Sequence, residues 1–565
     1  MKKFCLLLIV FSLFLCSGCE LLSQLLLGDE PAEQKEVDVS TDSTAEIYLV
    51  KLNNSSKTVN VQQTGYVSSV ESARFSNETE YTDTDSFIRN LNRQLNEKVS
   101  ESYALETARS STSDRAITQG YNTTISYKAG DTKKFWSYVK TEKTITGKEK
   151  NISGQVSAVC KYAGNHCYVF ADSKNEQLTD KGINLSNSDY KTIGQKFDSC
   201  YELETSVNGS PFYEKYNSTY FIPCNKKIII LVSDLFGDAS DKQDSGTVGY
   251  FYQGDMYNQD YLDRNQGFFS DEINSNECEI FYIDALFLTK RPETVYSTLV
   301  HEFNHMINYV IKTVNYMTNN PSAKSFRTCD TWFTEMLSMT TEDMFQNYLG
   351  IKDVDSPKGR LPYFNMYYNY GFKSWENEEI PSLIMYANTY AFGAFLARNF
   401  GGADLIKKIA QNDYVNEEAI TAALREQYPD YKYVDEFTKQ TRKIDFDYAV
   451  RKFSMCLFNT DKPTKEQLQK TGDDQYFSFY RSSGNQTGAG LGFTPIDIMN
   501  IECDYEQKDG TIKHDIIQPV IYEKTTGVNI YPSGFTVHYV GKNIKSFHLI
   551  MNPKLEYYLI TVFSL

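Results

Sequence analysis

A chain of 565 residues exceeds one ordinary core, and typical domain sizes point to roughly two to four domains. Its 57 Lys and Arg stand against 73 Asp and Glu, a net charge of −16, so the surface repels phosphate backbones and nucleic-acid binding is excluded as a class. The 42 Tyr and 35 Phe are strand-favouring residues and tilt the expectation toward β-rich modules.

The chain opens on "MKKFCLLLIVFSLFLCSGCELL", in which Lys2 and Lys3 precede an apolar run from Phe4 to Leu15 and then small residues before Cys19. The run is too short to span a bilayer, and its order reads as an export signal over 1–18 of the lipoprotein type, with Cys19 as the lipidated first mature residue. Residues 19–45 turn acidic and Ser/Thr-rich without hydrophobic periodicity, as a flexible tether does. The expected location is therefore extracytoplasmic and membrane-anchored, on a periplasmic face or the cell surface.

From 46 to 215, short alternating runs such as "NTTISYKAG" and "KNISGQVSAVCKYAGNHCYVF" alternate with Asn, Gly and Ser clusters, which predicts a β-rich domain. One helix is predicted within it, around "TDSFIRNLNRQLNEKV". Beyond Cys19 the cysteines are Cys160, Cys167, Cys200, Cys224, Cys278, Cys329, Cys456 and Cys503. An even number in an exported chain permits disulfides, and Cys160 and Cys167 are close enough for a local staple.

At "KKIIILVSDLFGD" an apolar run fits a strand buried on both faces, and a domain over 216–475 begins. Its helical candidates are "PETVYSTLVHEFNHMINYVIKTVNYM", "TWFTEMLSMTTEDMFQNYL", "SLIMYANTYAFGAFLARNF", ended by Gly401 and Gly402, and "VDEFTKQTRKIDFDYAVRKFSM". Asp234, Asp238, Asp241 and Asp244 in "DLFGDASDKQDSG" would suit a Ca2+ ion but lack the alternating spacing of a calcium loop, and read as a solvated acidic loop. From 476 to 565 short strands return, as in "GFTVHYVG" and "YYLITVFSL", predicting a small C-terminal β module. His514, His538 and His548 fall there and read as surface residues. The fold class is α+β: a domain of buried strands and helices between β-rich modules.

The chemistry concentrates in "STLVHEFNHMINYVIK". Residues four apart on a helix share a face, so His301 and His305 present their imidazoles to one point, as two zinc ligands must. Glu302, one step round, sits where it can take a proton from water at that point. Val295, Leu299, Met306 and Val310 supply a buried flank. Zinc needs a third protein ligand, and the helix breaks at Asn320-Pro321 and resumes at "TWFTEMLSM" with Asp330 or Thr331 as N-cap. An antiparallel return would bring Glu335 to the two histidines; Asp330, Glu342 and Asp343 are the competing acids.

The residues "HEFNHMINY", followed by "TWFTEMLSMTTEDM" and preceded by the strand "ECEIFYID", resemble the gluzincin metallopeptidases, and within them the hyicolysin-like neutral peptidases. The resemblance covers about 220–410 and implies a zincin-like catalytic domain, a mixed sheet with an active-site helix and a helical subdomain, over 216–475. A metzincin is excluded, because Asn308 and Ile311 stand where that pattern needs Gly and a third His. It implies His301, His305 and Glu335 as ligands of one Zn2+ and Glu302 as general base. Met339 occupies the place where thermolysin-type sequences carry an acid that orients a ligand, so Glu342 or Asp343 is expected to do so. In "YANTYAFGAF", Tyr390 precedes Gly393 as in the Tyr-x-x-Gly of aminopeptidase-type gluzincins and is the candidate oxyanion donor, with Tyr386 one turn earlier on the same face. The strand "CEIFYIDALFL" is expected to form the rim on which an extended protein or peptide substrate pairs. The expected function is a lipid-anchored zinc endopeptidase with a protein substrate; the alternative is an adhesin-like or scaffold lipoprotein that keeps zinc for stability alone.

Overall fold

The computed structural model describes residues 35–40, 46–60, 84–109, 117–122, 125–143, 149–240, 246–265, 273–323, 325–375, 377, 380–435, 439–457, 466, 476–482, 491–506, 511–523 and 528–562. The export signal, Cys19, Asp241, Asp244 and most of the expected tether lie outside the described residues. The fold is α+β. Its centre is a six-stranded mixed sheet built from β1 (Thr132–Lys143), β2 (Glu149–Ala163), β3 (Cys167–Asp172), β4 (Ile228–Ser233), β5 (Gly249–Tyr250) and β6 (Ile280–Asp284), in the order β5-β6-β4-β3-β2-β1. The apolar run of β4 is buried at all six positions and pairs in parallel with both β3 and β6, which is where a strand with no polar face has to go.

Five helices frame the site: α1 (Thr84–Arg109), α2 (Asn187–Asn208), α3 (Pro292–Tyr309), α4 (Thr331–Leu349) and α5 (Ser382–Phe400). One buried cluster joins the sheet to α1 and α3; a second gathers α4, α5 and the C-terminal strands. In α1, Ile88, Leu91, Leu95, Val99 and Tyr103 recur at helical spacing, and all five are buried in the first cluster. Burial of each aliphatic side chain contributes about 1.5–3 kcal/mol, so α1 is seated firmly on the sheet. Among the described residues no helix is long and apolar enough to cross a membrane.

Strand pairing runs across the boundaries expected from sequence. The six-stranded sheet takes strands from both sides of 215/216. The strand Glu46–Leu52 pairs with Phe535–Lys542 on one side and Glu556–Val562 on the other, so an N-terminal strand sits inside the C-terminal sheet. Its sequence "EIYLVKL" is buried on both faces at its end, which only a central position satisfies. Within the expected tether, Lys35–Ser40 is a strand paired with Ser546–Met551.

Two further expectations are corrected. The stretch from 434 to 455 is not one helix: Lys432–Val434 and Thr441–Lys443 form a strand pair, and a helix begins only at Phe446, where the Asp445 side chain accepts from the Tyr448 N–H. Buried Asp435 explains the break, since it holds Arg442 and Arg451 and so ties down the turn. The eight cysteines are all free thiols. Cys160 lies opposite Phe170 in the β2/β3 ladder, so it never faces Cys167.

Candidate metal centre

Asp284 closes β6 and accepts from the N–H groups of Leu286 and Phe287, turning the chain into the short helix Ala285–Lys290. Pro292 then opens α3 in the first turn, where its missing N–H costs nothing. Val295, Leu299, Met306 and, just past the helix end, Val310 are buried in one stripe, as expected, with Phe303 added to it, and leave the turn at His301–His305 facing α4. Beyond Tyr309 the backbone widens into a π-helical turn over Val310–Asn315 and ends at Asn320. The chain resumes at Asp330, the N-cap position of α4, whose carboxylate accepts from Trp332 Nε1. Glu335, in the second turn of α4, thereby returns to the histidines.

One ligand atom each from His301, His305 and Glu335 lie within 4.8 Å of one another. His301 Nε2 is 3.0 Å from His305 Nε2 and 3.3 Å from Glu335 Oε2, and His305 Nε2 is 3.6 Å from Glu335 Oε1. Donors about 2.0–2.1 Å from a tetrahedral zinc are roughly 3.4 Å apart, so the three fit that ion. The charges agree with the distances. Burial alone would lower the His301 imidazole, but Glu342, Glu335 and Glu302 around it raise it well above its ordinary value. Burial alone would raise the Glu335 carboxyl, yet His305 and His301 hold it well below the usual carboxylate range. A largely buried set of three carboxylates and two imidazoles could hold a cation.

Glu342, two turns beyond Glu335, accepts from His301 Nδ1 at 2.7 Å and from Ser297 Oγ at 2.5 Å. A carboxylate only accepts, so Nδ1 carries the hydrogen and Nε2 is aimed at the ligand point. Of the two acids considered for this duty, Asp343 is placed elsewhere: it takes Arg398 Nη1 at 2.7 Å and the Tyr390 hydroxyl at 3.0 Å. Tyr390 is fully buried in that ion pair and does not line the cleft, so the structure corrects its placement as oxyanion donor. The Gly393 of its Tyr-x-x-Gly pattern has a packing cause: a Cβ there would stand 2.2 Å from Thr340 Oγ1 of α4.

The three candidate ligands and Glu302 open into a cleft of about 660 Å³ lined by α1, the β5 edge, α3, α4 and Tyr386. Of the two tyrosines of α5, Tyr386 is the one that lines the cleft, beside Tyr250 and Tyr309. Arg89 of α1 donates to its hydroxyl from Nη1 at 2.6 Å, and the Arg89 guanidinium lies 5.2 Å over the Trp375 ring. The substrate rim is also corrected. β6 is paired on both sides, with β4 and β5, so its backbone is spent within the sheet, and β5 is the edge. Gly249 is required there, because a Cβ would meet Tyr282 O at 2.7 Å and Thr298 Cγ2 of α3 at 2.8 Å. Arg89 and Gly249 escape a reading of sequence because nothing local marks residues so distant from the His motif as neighbours of it.

Asp234 and Asp238 come together with Asp284, one oxygen from each within 4.8 Å. Burial pushes the Asp284 carboxyl up to about 8 against the N–H groups of Phe287 and Leu235, with Asp238 and Asp234 adding to the rise. In the C-terminal sheet His538 is buried and bonded to Thr536 Oγ1 at 2.9 Å, contrary to the surface position expected, whereas His514 is exposed beside Asp504.

No protein-family model matches the chain. It is 26% identical over 303 residues to the neutral metalloprotease ShpI of Staphylococcus hyicus, an alignment that spans 52% of this chain and 58% of that protein. The chain is thus a distant relative of a neutral metalloprotease and matches little more than half of its length. Among solved structures, Legionella pneumophila aminopeptidase A in complex with aspartic acid aligns over 76% of this chain and 36% of that chain, at 11% identity and a TM-score of 0.26, too slight a likeness to bear on fold or function.

Proposed function

We propose that the chain is a zinc-dependent endopeptidase of the hyicolysin-like gluzincin group, held outside the cytoplasm by lipid on Cys19 and acting on extracytoplasmic proteins. The observation that carries this reading is the convergence of His301, His305 and Glu335 in the cleft that Glu302 also lines. The distant relation to a neutral metalloprotease agrees with it.

His301, His305 and Glu335 would hold the zinc, which supplies the Lewis acidity that attack of water on an amide needs near neutral pH. Glu302 takes the proton from the attacking water and returns it to the leaving amine. Glu342 fixes the ring of His301 and the hydrogen on its Nδ1. Tyr386 donates its hydroxyl hydrogen to the oxygen of the attacked carbonyl as charge builds there. Because Arg89 donates into that hydroxyl, the tyrosine's own hydrogen points away from Arg89. A scaffold lipoprotein that keeps a metal for stability alone has no use for a base at Glu302.

The test has three parts. Purified full chain is expected to bind one zinc and to hydrolyse casein; Glu335→Ala is expected to lose the metal. Labelled palmitate is expected to enter the wild type but not Cys19→Ser. Zinc-loaded protein without any hydrolysis would overturn the peptidase reading, full zinc occupancy in Glu335→Ala would reassign the third ligand, and equal labelling would remove the anchor.

A further inference from the structure

We infer that α1 determines which peptides the cleft accepts, because Asn92 occupies the stretch of sheet edge on which an extended substrate would otherwise continue to pair; the inference rests on the peptidase reading. In an antiparallel ladder, successive residues turn their N–H and C=O groups to opposite sides. Gly249 lies opposite Ile283, Tyr250 lies opposite Tyr282, and the Asp284 N–H donates to the Val248 carbonyl at 2.9 Å. Val248 and Tyr250 therefore bond inward to β6, and Gly249 and Phe251 turn their backbone groups outward, to the cleft.

After Gly249, the outward Phe251 carbonyl and the N–H of Gln253, where the chain leaves the extended edge for the 3-10 turn Gln253–Met256, are engaged by the protein itself. Asn92 Nδ2 donates to the Phe251 carbonyl at 3.1 Å, and Asn92 Oδ1 accepts from the Gln253 N–H at 3.0 Å. One side-chain amide bridges the backbone on both sides of Tyr252, which needs a donor and an acceptor on one short arm and so suits Asn. The arm is not carried by a loose segment. Asn92 lies at the border of the helix face that buries Ile88, Leu91, Leu95, Val99 and Tyr103 in the core under the sheet, and further residues of α1, Arg89, Arg93 and Asn96 among them, line the same cleft. α1 is a fixed wall, and Asn92 is the cap it places on the edge.

An extended peptide in the cleft therefore pairs with the edge through Gly249 and leaves it beyond that residue. On that side of the scissile bond, lengthening the substrate adds no backbone pairing, so loops and chain ends are preferred to long extended segments. Substrate length, not side-chain chemistry, is the property that Asn92 reads.

The experiment uses zinc-loaded full chain and two series of fluorogenic peptides sharing one cleavage site, lengthened residue by residue on either side of it. In the wild type, kcat/KM is expected to stop rising early in one series. In Asn92→Ala that same series is expected to keep rising, by about fivefold per backbone hydrogen bond regained, and the other series is expected to be unchanged. Asn92→Ser, with no amide to bridge the edge, is a second variant expected to give the same lengthened profile. Identical length dependence in an active wild type and both variants would overturn the role of α1 alone; absence of cleavage of every peptide by the zinc-bound wild type would overturn the peptidase reading and this inference with it.

Discussion

His301 is held between two acids: its Nδ1 lies 2.7 Å from Glu342 Oε1 and its Nε2 lies 3.3 Å from Glu335 Oε2. One carboxylate fixes the ring and the other shares its ligand point. Glu342→Ala removes the orienting bond, and zinc affinity measured by chelator competition is expected to fall about 10–100-fold. Glu342→Gln keeps an acceptor for Nδ1 and is expected to lose less. Unchanged affinity in the alanine variant would show that packing holds the ring without Glu342.

The two tyrosines of α5 separate chemistry from stability. Tyr386→Phe is expected to lower kcat by about 10²–10³, with the thermal midpoint little changed, because it removes a donor from the cleft. Tyr390→Phe takes a partner from buried Asp343 and is expected to cost about 1–3 kcal/mol of stability with kcat within a few fold of wild type. The opposite assignment of effects would restore Tyr390 as the oxyanion donor.

The Arg398–Asp343 pair has no exposed side-chain surface at either partner. Arg398→Met leaves Asp343 charged and buried, and denaturant unfolding is expected to show a loss of about 3–5 kcal/mol. Asp343→Asn combined with Arg398→Met removes both charges and is expected to recover much of it. Equal losses in the single and double variants would place the effect in packing.

Asp284 makes stability depend on pH. Burial raises its carboxyl from 3.8 to about 8, so the folded state favours the protonated form. That contribution is complete below the ordinary carboxylate value and is lost as pH rises through about 8. Asp284→Asn keeps an acceptor for the N–H groups of Leu286 and Phe287 without the charge and turns an NH2 toward the N–H of Leu235, a cost that does not depend on pH. The stability of the variant relative to wild type is expected to increase from about pH 4 to about pH 8 and to level off above, as read from denaturant midpoints across that range. A difference independent of pH would mean that Asp284 is charged in both states.

Local pattern carried the candidate ligand set. The His301–His305 spacing, the apolar stripe beside it, the break at Asn320-Pro321 and the restart at Asp330 are all short-range signals, and together they bring Glu335 to the histidines in the fold. What local pattern could not carry is distance between elements. Tyr386 and Tyr390 share a helix face one turn apart, about 6 Å along the axis, and only the seating of α5 against α4 decides which of them reaches the cleft. The strand Glu46–Leu52 reads as a strand but gives no sign that its partners lie beyond residue 530. Helical periodicity in 434–455 was overridden by the buried ion pairs of Asp435. The cleft wall contributed by α1 depends on tertiary packing in the same way, since its apolar stripe predicts a buried face but not what the residues along its border look onto.

The central claim is that a metal held by His301, His305 and Glu335 works with Glu302 as the base. Bound zinc and peptide hydrolysis measured side by side in wild type and Glu302→Gln test it most directly, because glutamine keeps the size of the side chain and cannot take a proton. The account predicts one zinc per chain in both proteins and a rate at least about 10²-fold lower in the variant. Equal rates with equal zinc would contradict it.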